Sequence, residues 1–286
     1  MYIQTGSVRN QGIELALNFE NTWRNFTWMS GLTYSMNKNK IESLADNVIN
    51  PITGELFSIP SLDMGGYADL RFILREGGSM GDLYSRTDLR RDANGAIYMD
   101  ESNNVYTQKI DNPDSYIKLG SVLPKGNLAW RNNFMWKNFH VGFMISARLG
   151  GVVFSRTQAV LDKFGVSEAS ADARDNGFVL INGNDRINPE NWYTTVGSTA
   201  VPQYYTYSAT NVRLQEASIG YTIPRKWLAN ICDIKVSLIG RNLWMIYNKA
   251  PFDPEAVAST DNFYQGIDNF MMPSLRNVGF SLNFKF

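Results

Sequence analysis

Apolar and polar residues alternate along most of this chain, and helical spacing is rare. In Gly12-Ile-Glu-Leu-Ala-Leu-Asn-Phe-Glu20, residues Ile13, Leu15, Leu17 and Phe19 share one face while Glu14, Asn18 and Glu20 share the other. The next run, residues 26 to 37, sets Phe26, Trp28, Leu32, Tyr34 and Met36 against Thr27, Thr33, Ser35 and Asn37. Only Trp23, Arg24 and Asn25 separate the two, which predicts a hairpin. Residues 68 to 75 alternate likewise, and a glycine-rich turn from Gly77 to Asp82 leads to a weaker run through Tyr84. Leu128, Trp130, Phe134 and Trp136 face one way, Lys137 and Asn138 turn, and Phe139, Val141, Phe143, Ile145, Ala147 and Leu149 return. Residues 213 to 223, 234 to 246 and 277 to 286 bring the expected total to about nine strands of roughly 8 to 12 residues.

The connections sort by length. Short turns follow odd-numbered strands, and long loops, roughly residues 38 to 66, 88 to 125, 150 to 210 and 247 to 276, follow even-numbered ones. A soluble sandwich does not require that sorting, whereas outer-membrane barrels combine short periplasmic turns with long extracellular loops. Ten residues at about 3.3 Å each, tilted by about 40°, span roughly 25 Å, the height of such a barrel's apolar band. One face of the strands is rich in Trp, Phe, Tyr, Leu and Ile; the other carries Glu14, Arg71, Arg131, Asn133, Lys137, His140, Arg148, Lys235, Arg241, Asn283 and Lys285. An Arg at mid-membrane costs about 2 to 4 kcal/mol, so the polar face is expected to line a wet interior. Between Leu214 and Ala217 the apolar phase slips by one, which predicts a β-bulge near Gln215 or Glu216. Pro224 ends that strand, and residues 225 to 233 have room for a short helical turn.

Composition narrows the class. With 27 basic and 27 acidic residues among 286, the formal net charge is zero and nothing marks the chain for nucleic acid. One Cys, Cys232, cannot form an internal disulfide, and the single His, His140, cannot build an ordinary zinc site. No run approaches the roughly 18 apolar residues of a membrane helix, and the first residues lack the pattern of a signal peptide. A mean hydropathy of -0.26 disfavours a helical membrane protein and leaves a β-barrel open. An open sheet in lipid would strand two rows of backbone groups at several kcal/mol each, so partner strands and any export signal are expected upstream of Met1.

Four stretches resemble the C-terminal part of the barrel of SusC/RagA-type TonB-linked outer-membrane transporters. They are Val8-Arg-Asn-Gln-Gly-Ile-Glu-Leu with the hairpin after it and Asn37-Lys-Asn-Lys40; Gly120-Ser-Val-Leu-Pro-Lys-Gly126 followed by Trp136-Lys-Asn-Phe139; Asn211-Val-Arg-Leu-Gln-Glu-Ala-Ser-Ile-Gly-Tyr-Thr-Ile-Pro224; and Gly240-Arg-Asn-Leu243 with Asp253-Pro-Glu255, Gly266-Ile-Asp268 and the alternating terminus. Gly126 departs from the aromatic residue that the family usually places after Pro-Lys. The resemblance implies an all-β antiparallel transmembrane barrel of about 22 strands, with residues 1 to 286 as its C-terminal portion and the plug and earlier strands absent. It also implies a Gram-negative outer-membrane location, a SusD-like surface lipoprotein as lid, and import of oligosaccharides or oligopeptides powered by the TonB complex through the plug. A C-terminal aromatic, here Phe286, would be read by the barrel-assembly machinery.

Candidate contacts to substrate are Trp192 and Tyr193 in the longest loop and Tyr264 and Asp268 in the last, in the company of Tyr204, Tyr205, Tyr207, Phe263 and Phe270. The plainer reading of these aromatics is loop packing or lid contact. Trp23, Trp136 and Trp227 read as interface anchors. Asp92 to Glu101 has part of a calcium-loop spacing, but Arg90 stands at the first ligand position, so a polar turn is expected instead. His140 has no nucleophile or carboxylate in sequence reach, and no catalytic elbow or phosphate loop occurs, so no enzymatic activity and no cofactor or metal is assigned. A soluble all-β carbohydrate-binding module and a passive porin segment remain as alternatives.

Overall fold

The computed structural model describes residues 6–50, 52–198, 201–229, 231–261 and 264–285. Seven strands form one antiparallel meander: β1 (Ser7–Trp23), β2 (Phe26–Ser43), β3 (Gly126–Trp136), β4 (Phe139–Leu149), β5 (Asn211–Ile223), β6 (Asp233–Asn248) and β7 (Asn277–Lys285), each paired with the next. Turns of two residues join β1 to β2 and β3 to β4, with Arg24 and Lys137 at φ near +55° and +52°. The β5–β6 connection holds a short 3-10 helix, Arg225–Leu228, where a helical turn was expected.

The register carries the apolar positions into one another across the whole sheet. Leu17 stands opposite Leu32, Leu32 opposite Trp130, and Trp130 opposite Ile145. Farther along, Val141 meets Ile219, Ile219 meets Leu238, and Leu238 meets Phe280. This face is bare: Ile13, Trp136, Leu238 and Phe280 are all exposed. A soluble protein does not leave a seven-strand apolar surface uncovered, and a lipid-facing wall must. Two of its indole N–H groups are satisfied within the face, Trp28 donating to Asn132 Oδ1 and Trp130 to Ser30 Oγ, both at 3.0 Å. Near the short turns, Trp23, Phe26, Phe134 and Trp28 stack in a row with ring centroids 6.0 to 6.2 Å apart, an aromatic girdle at one membrane boundary.

The predicted phase slip is a bulge. Met144 pairs with Glu216 and Ile145 with Leu214, so Gln215 has no partner on β4. On the other side Glu216 meets Arg241 and Leu214 meets Trp244, which leaves Asn242 and Leu243 opposite Gln215, with Asn242 at φ +53°. Inserting the extra residue restores Val212, Leu214, Ala217 and Ile219 to the apolar face.

Two of the nine expected strands lie elsewhere. Leu70–Arg75 and Asp82–Ser85 belong to a separate four-stranded sheet with Ile117–Ser121 and Ser61–Tyr67. Leu70, Phe72 and Leu83 are fully buried, and Arg71 pairs with Asp63 at 2.9 Å; neither strand faces lipid and Arg71 does not line the wall. Leu70 and Phe72 share a face packed on a core, and Ile73 and all of Asp82–Ser85 are buried as well, so the two-residue period arises here without lipid.

That core is built from all three long connections, residues 44–125, 150–210 and 249–276, which leave the wall at the same end. Leu70, Phe72, Leu83 and Val122 from the first pack with Phe154, Trp192, Val196 and Tyr205 from the second and Ile267 from the third. The second connection supplies three helices, α1 (Arg156–Lys163), α2 (Glu168–Asn176) and α3 (Pro189–Val196), with side-chain caps from Ser155, Ser167 and Asn188. The loops are thus a folded cap on the wall.

Candidate functional site

The inner face of the wall is polar in registered rows. One row runs Glu14, Ser35, Asn127, Arg148 and Asn211 across five strands; the next, one step toward the turns, runs Ala16, Thr33, Ala129, Ser146 and Arg213. The small side chains Ala16, Thr33, Ala129 and Ser146 of the second row leave a depression of about 500 Å³, bordered by Glu14, Ser35, Asn127, Arg148 and, from the last loop, Glu255. Carboxylate, amide, hydroxyl and guanidinium groups there can exchange hydrogen bonds with a hydrated solute. Lower on the same face His140 shares a 2.8 Å hydrogen bond with Thr222, and Arg241 pairs with Glu216 at 3.2 Å.

At the upper rim the cap is fastened to the wall by a buried ion-pair cluster. Arg213, with 5 % of its side chain exposed, donates from Nη2 to Asp253 Oδ1 at 2.9 Å and lies 3.3 Å from Glu255 Oε2. Its Nε donates to Asn211 Oδ1 at 3.2 Å, and Asn211 Nδ2 donates to Glu255 Oε1 at 3.1 Å. Ser274 Oγ donates to the other Asp253 oxygen, and Asn242, at the bulge, donates to the Leu275 carbonyl at 3.3 Å. Burial works to raise the Asp253 pKa, but the hydrogen bonds from Ser274 and Arg213 outweigh it and the carboxyl is held below its ordinary value.

Two further resemblance motifs, Gly120 to Gly126 and Gly266 to Asp268, meet at a second joint. A Cβ on Gly266, at φ +73°, would come within 2.5 Å of Val122, and one on Gly120 within 2.8 Å of Val152. Arg148 Nη2 donates to the Val122 carbonyl at 2.7 Å, while Ile267 pairs with Phe154 and Asp268 accepts from Ser155 Oγ at 2.6 Å. Residues scattered along the sequence are therefore the places where three loops are locked to one another and to the barrel strands.

Two curated relatives align along 98% of this chain. TonB-dependent receptor P3 and TonB-dependent receptor P26, both of Formosa agariphila, are each 26% identical to it. The chain spans 29% of the length of each relative. No family model matches. Among solved structures, the RagAB peptide importer in its closed-closed state superposes with a TM-score of 0.67 at 16% identity, covering 98% of this chain and 30% of that one. Its open-open state gives 0.60 at 17% identity, over 98% of this chain and 29% of that one. The chain fits the C-terminal part of a SusC/RagA-type TonB-linked barrel. The seven-stranded sheet is accordingly outer-membrane barrel wall, and the names among its relatives are those of receptors and an importer rather than enzymes.

Within that frame the candidate contact residues occupy distinct settings. Trp192 is buried in the cap core, edge-on to Tyr204 with centroids 5.3 Å apart. Asp268 is buried at the start of α1, where Ser155 both donates to it and caps the helix. Tyr193 borders a cleft between the helices and donates to the Ala169 carbonyl at 3.2 Å, and Tyr264 is exposed with its hydroxyl near Gly65. No hydrogen bond joins any two of the four among the described residues. Phe263 and Phe286 lie outside the described residues. Trp23, Trp136 and Trp227 are exposed. Asp92 accepts from the backbone N–H groups of Asn94 and Ala96, both at 2.9 Å, forming a polar turn. Sequence reading had no signal for Asp162, a carboxylate buried in the helical part of the cap.

Proposed function

We propose that this chain supplies wall, inner lining and cap to an active outer-membrane importer of oligosaccharides or oligopeptides, energised through TonB and covered by a SusD-like surface lipoprotein. The reading is carried by one observation: a continuous bare apolar face over seven strands, backed by a polar face and roofed at one end by folded loops. A wide polar interior passes hydrated solutes, and a plug and lid would make that passage selective. Tyr193 and Tyr264 retain accessible aromatic surface for cargo or lid, and Trp192 and Asp268 support the cap that presents them. Phe286 would serve as the signal to the barrel-assembly machinery.

Uptake by cells carrying the full-length receptor tests this. Deleting residues 1–286 should abolish accumulation of the receptor's nutrient, and dissipating the proton gradient in cells with the intact receptor should do the same. Uptake that persists without the gradient would identify a passive porin. A purified chain that stays monomeric in water without detergent would identify a soluble binding module.

A further inference from the structure

The helical part of the cap encloses a cleft of about 240 Å³ between α1, α2 and α3, apart from the wall and its ion-pair cluster. Asp162, near the end of α1, forms part of its lining and is only 5 % exposed. Its Oδ1 accepts from Gln158 Nε2 at 2.8 Å, and no Lys, Arg or His lies within ion-pair distance among the described residues. From the core side, the buried Tyr205 hydroxyl stands close to the carboxylate without a well-formed hydrogen bond to any group. A carboxylate offers about four acceptor positions, and Gln158 fills one of them. Burying such a charge is costly unless a cation or strong donors meet it.

The other charges at the cleft do not meet this need. Arg174 is committed to the Gly165 carbonyl at 2.6 Å, and Lys163 sits over the Phe164 ring, 5.9 Å from its centroid. Glu190, exposed at the rim, adds a second carboxylate outside any ion pair among the described residues. Tyr193 and the 70 % exposed Phe164 provide aromatic surface at the mouth, able to flank an alkyl stem or a cation. Burial, and then the Asp162 charge, raise the pKa of Tyr193, whose hydroxyl donates to the Ala169 carbonyl. At this volume the cleft is smaller than the roughly 300 Å³ at which drug-sized ligand pockets begin, and suits one side chain or chain end.

We propose that the cleft binds the ammonium group of an oligopeptide, a lysine side chain or a free N-terminus, with Asp162 as counter-ion. The inference rests on the importer reading for its cargo and narrows that cargo to amine-bearing peptides. Hydroxyl-only sugars donate hydrogen bonds to a carboxylate but bring no positive charge to it.

Binding by the purified full-length receptor in detergent tests it, using a lysine-containing tetrapeptide, the same peptide acetylated at every amine, and a neutral oligosaccharide. Acetylation should weaken binding to the wild type by about tenfold or more, and Asp162→Asn should weaken the free-amine peptide alone to a similar degree. Glu190→Gln, a surface change that leaves the core intact, should give a smaller loss of a few-fold. Equal affinity of free and acetylated peptides for the wild type would overturn the site regardless of how the variants fold, as would an amine preference that Asp162→Asn leaves untouched. Energised uptake of an oligosaccharide with no amine preference overturns the cleft and leaves the importer standing. Amine-selective binding lost in Asp162→Asn, with no energised uptake of any cargo, does the reverse.

Discussion

Arg213 and Asp253 stand 40 residues apart in the chain and meet at 2.9 Å, with their side chains only 5 % and 9 % exposed. Arg213 belongs to a wall strand and Asp253 to the last cap loop, so the pair is a covalently unlinked rivet between membrane wall and roof. Both partners come from motifs on which the transporter resemblance rests, and their chemistry is structural.

Removing one side of this rivet should free the loop. Leaving one buried charge without its partner costs about 3 to 5 kcal/mol, so Arg213→Ala should expose residues 249–276 to protease while β1–β4 keep their pairing. Limited proteolysis of the full-length receptor, with cleavage sites mapped by mass spectrometry, measures this. Arg213→Ala combined with Asp253→Ala should cost less than the sum of the two single changes.

The same pair predicts an acid-sensitive joint. Burial favours a raised Asp253 pKa, yet the Ser274 and Arg213 hydrogen bonds bring the folded value below the ordinary 3.8. The unfolded loop therefore binds a proton more readily than the folded one. The stabilisation is complete above about 3.8 and is lost as pH falls through the lower, folded value. Thermal unfolding of the receptor followed downward from about pH 5 should show a steeper decline in the wild type than in Asp253→Asn; parallel curves would remove Asp253 from the acid response.

Gly266 marks the second joint. Its φ of +73° suits glycine, and a Cβ there would stand 2.5 Å from Val122 Cγ1. Gly266→Ala combines left-handed strain with overpacking, together about 2 to 4 kcal/mol, and should loosen the contact between the first and last loops. Hydrogen exchange at Ile267 and Phe154, which pair across this joint, should rise in the variant and stay unchanged at wall positions such as Leu238.

How far the sequence discloses these features depends on the range of the interactions. Wall strands are legible because lipid on one side and water on the other impose a strict two-residue period, and even the bulge at Gln215 shows as a slip of that period. Residues 68–75 carry the same rhythm for a different reason, the packing of Leu70 and Phe72 on the cap core, so period alone assigned them to the wall. Helices of eight or nine residues, such as α1 and α2, are too short to establish a periodic face, and their polar sequences read as loop. Motif residues Asn211, Arg213, Asp253 and Glu255 could be picked out, but their convergence depends on pairings across 40 or more positions that composition does not encode. Asp162 lacks even a motif, because its buried setting is made by α3 and Tyr205 arriving from later in the chain.

The sidedness of the wall predicts opposite outcomes for adjacent residues on β6. Leu238 lies between Ile219 and Phe280 on the bare apolar face, whereas Ser237 lies between Gly220 and Ser281 on the polar one. Both sit near the middle of the β6–β7 pairing, which extends from Asp233 to Arg241, so they share nearly the same depth in the membrane. Arg at position 238 would have to hold its guanidinium in hydrocarbon, at about 2 to 4 kcal/mol, while Arg at 237 would extend into water. Leu238→Arg should therefore lower the yield of folded, heat-modifiable receptor in vesicles and reduce its resistance to denaturant by that amount. Ser237→Arg should leave both nearly unchanged, although its bulk faces Gly220, whose own Cβ would already approach the Ser237 hydroxyl at 2.5 Å. Ser281→Arg, opposite Ser237 and away from that glycine, separates steric crowding from polarity: good folding there alongside failure of Leu238→Arg assigns the penalty to lipid. Equal tolerance at 238 and 281 would mean that both faces of this sheet meet water.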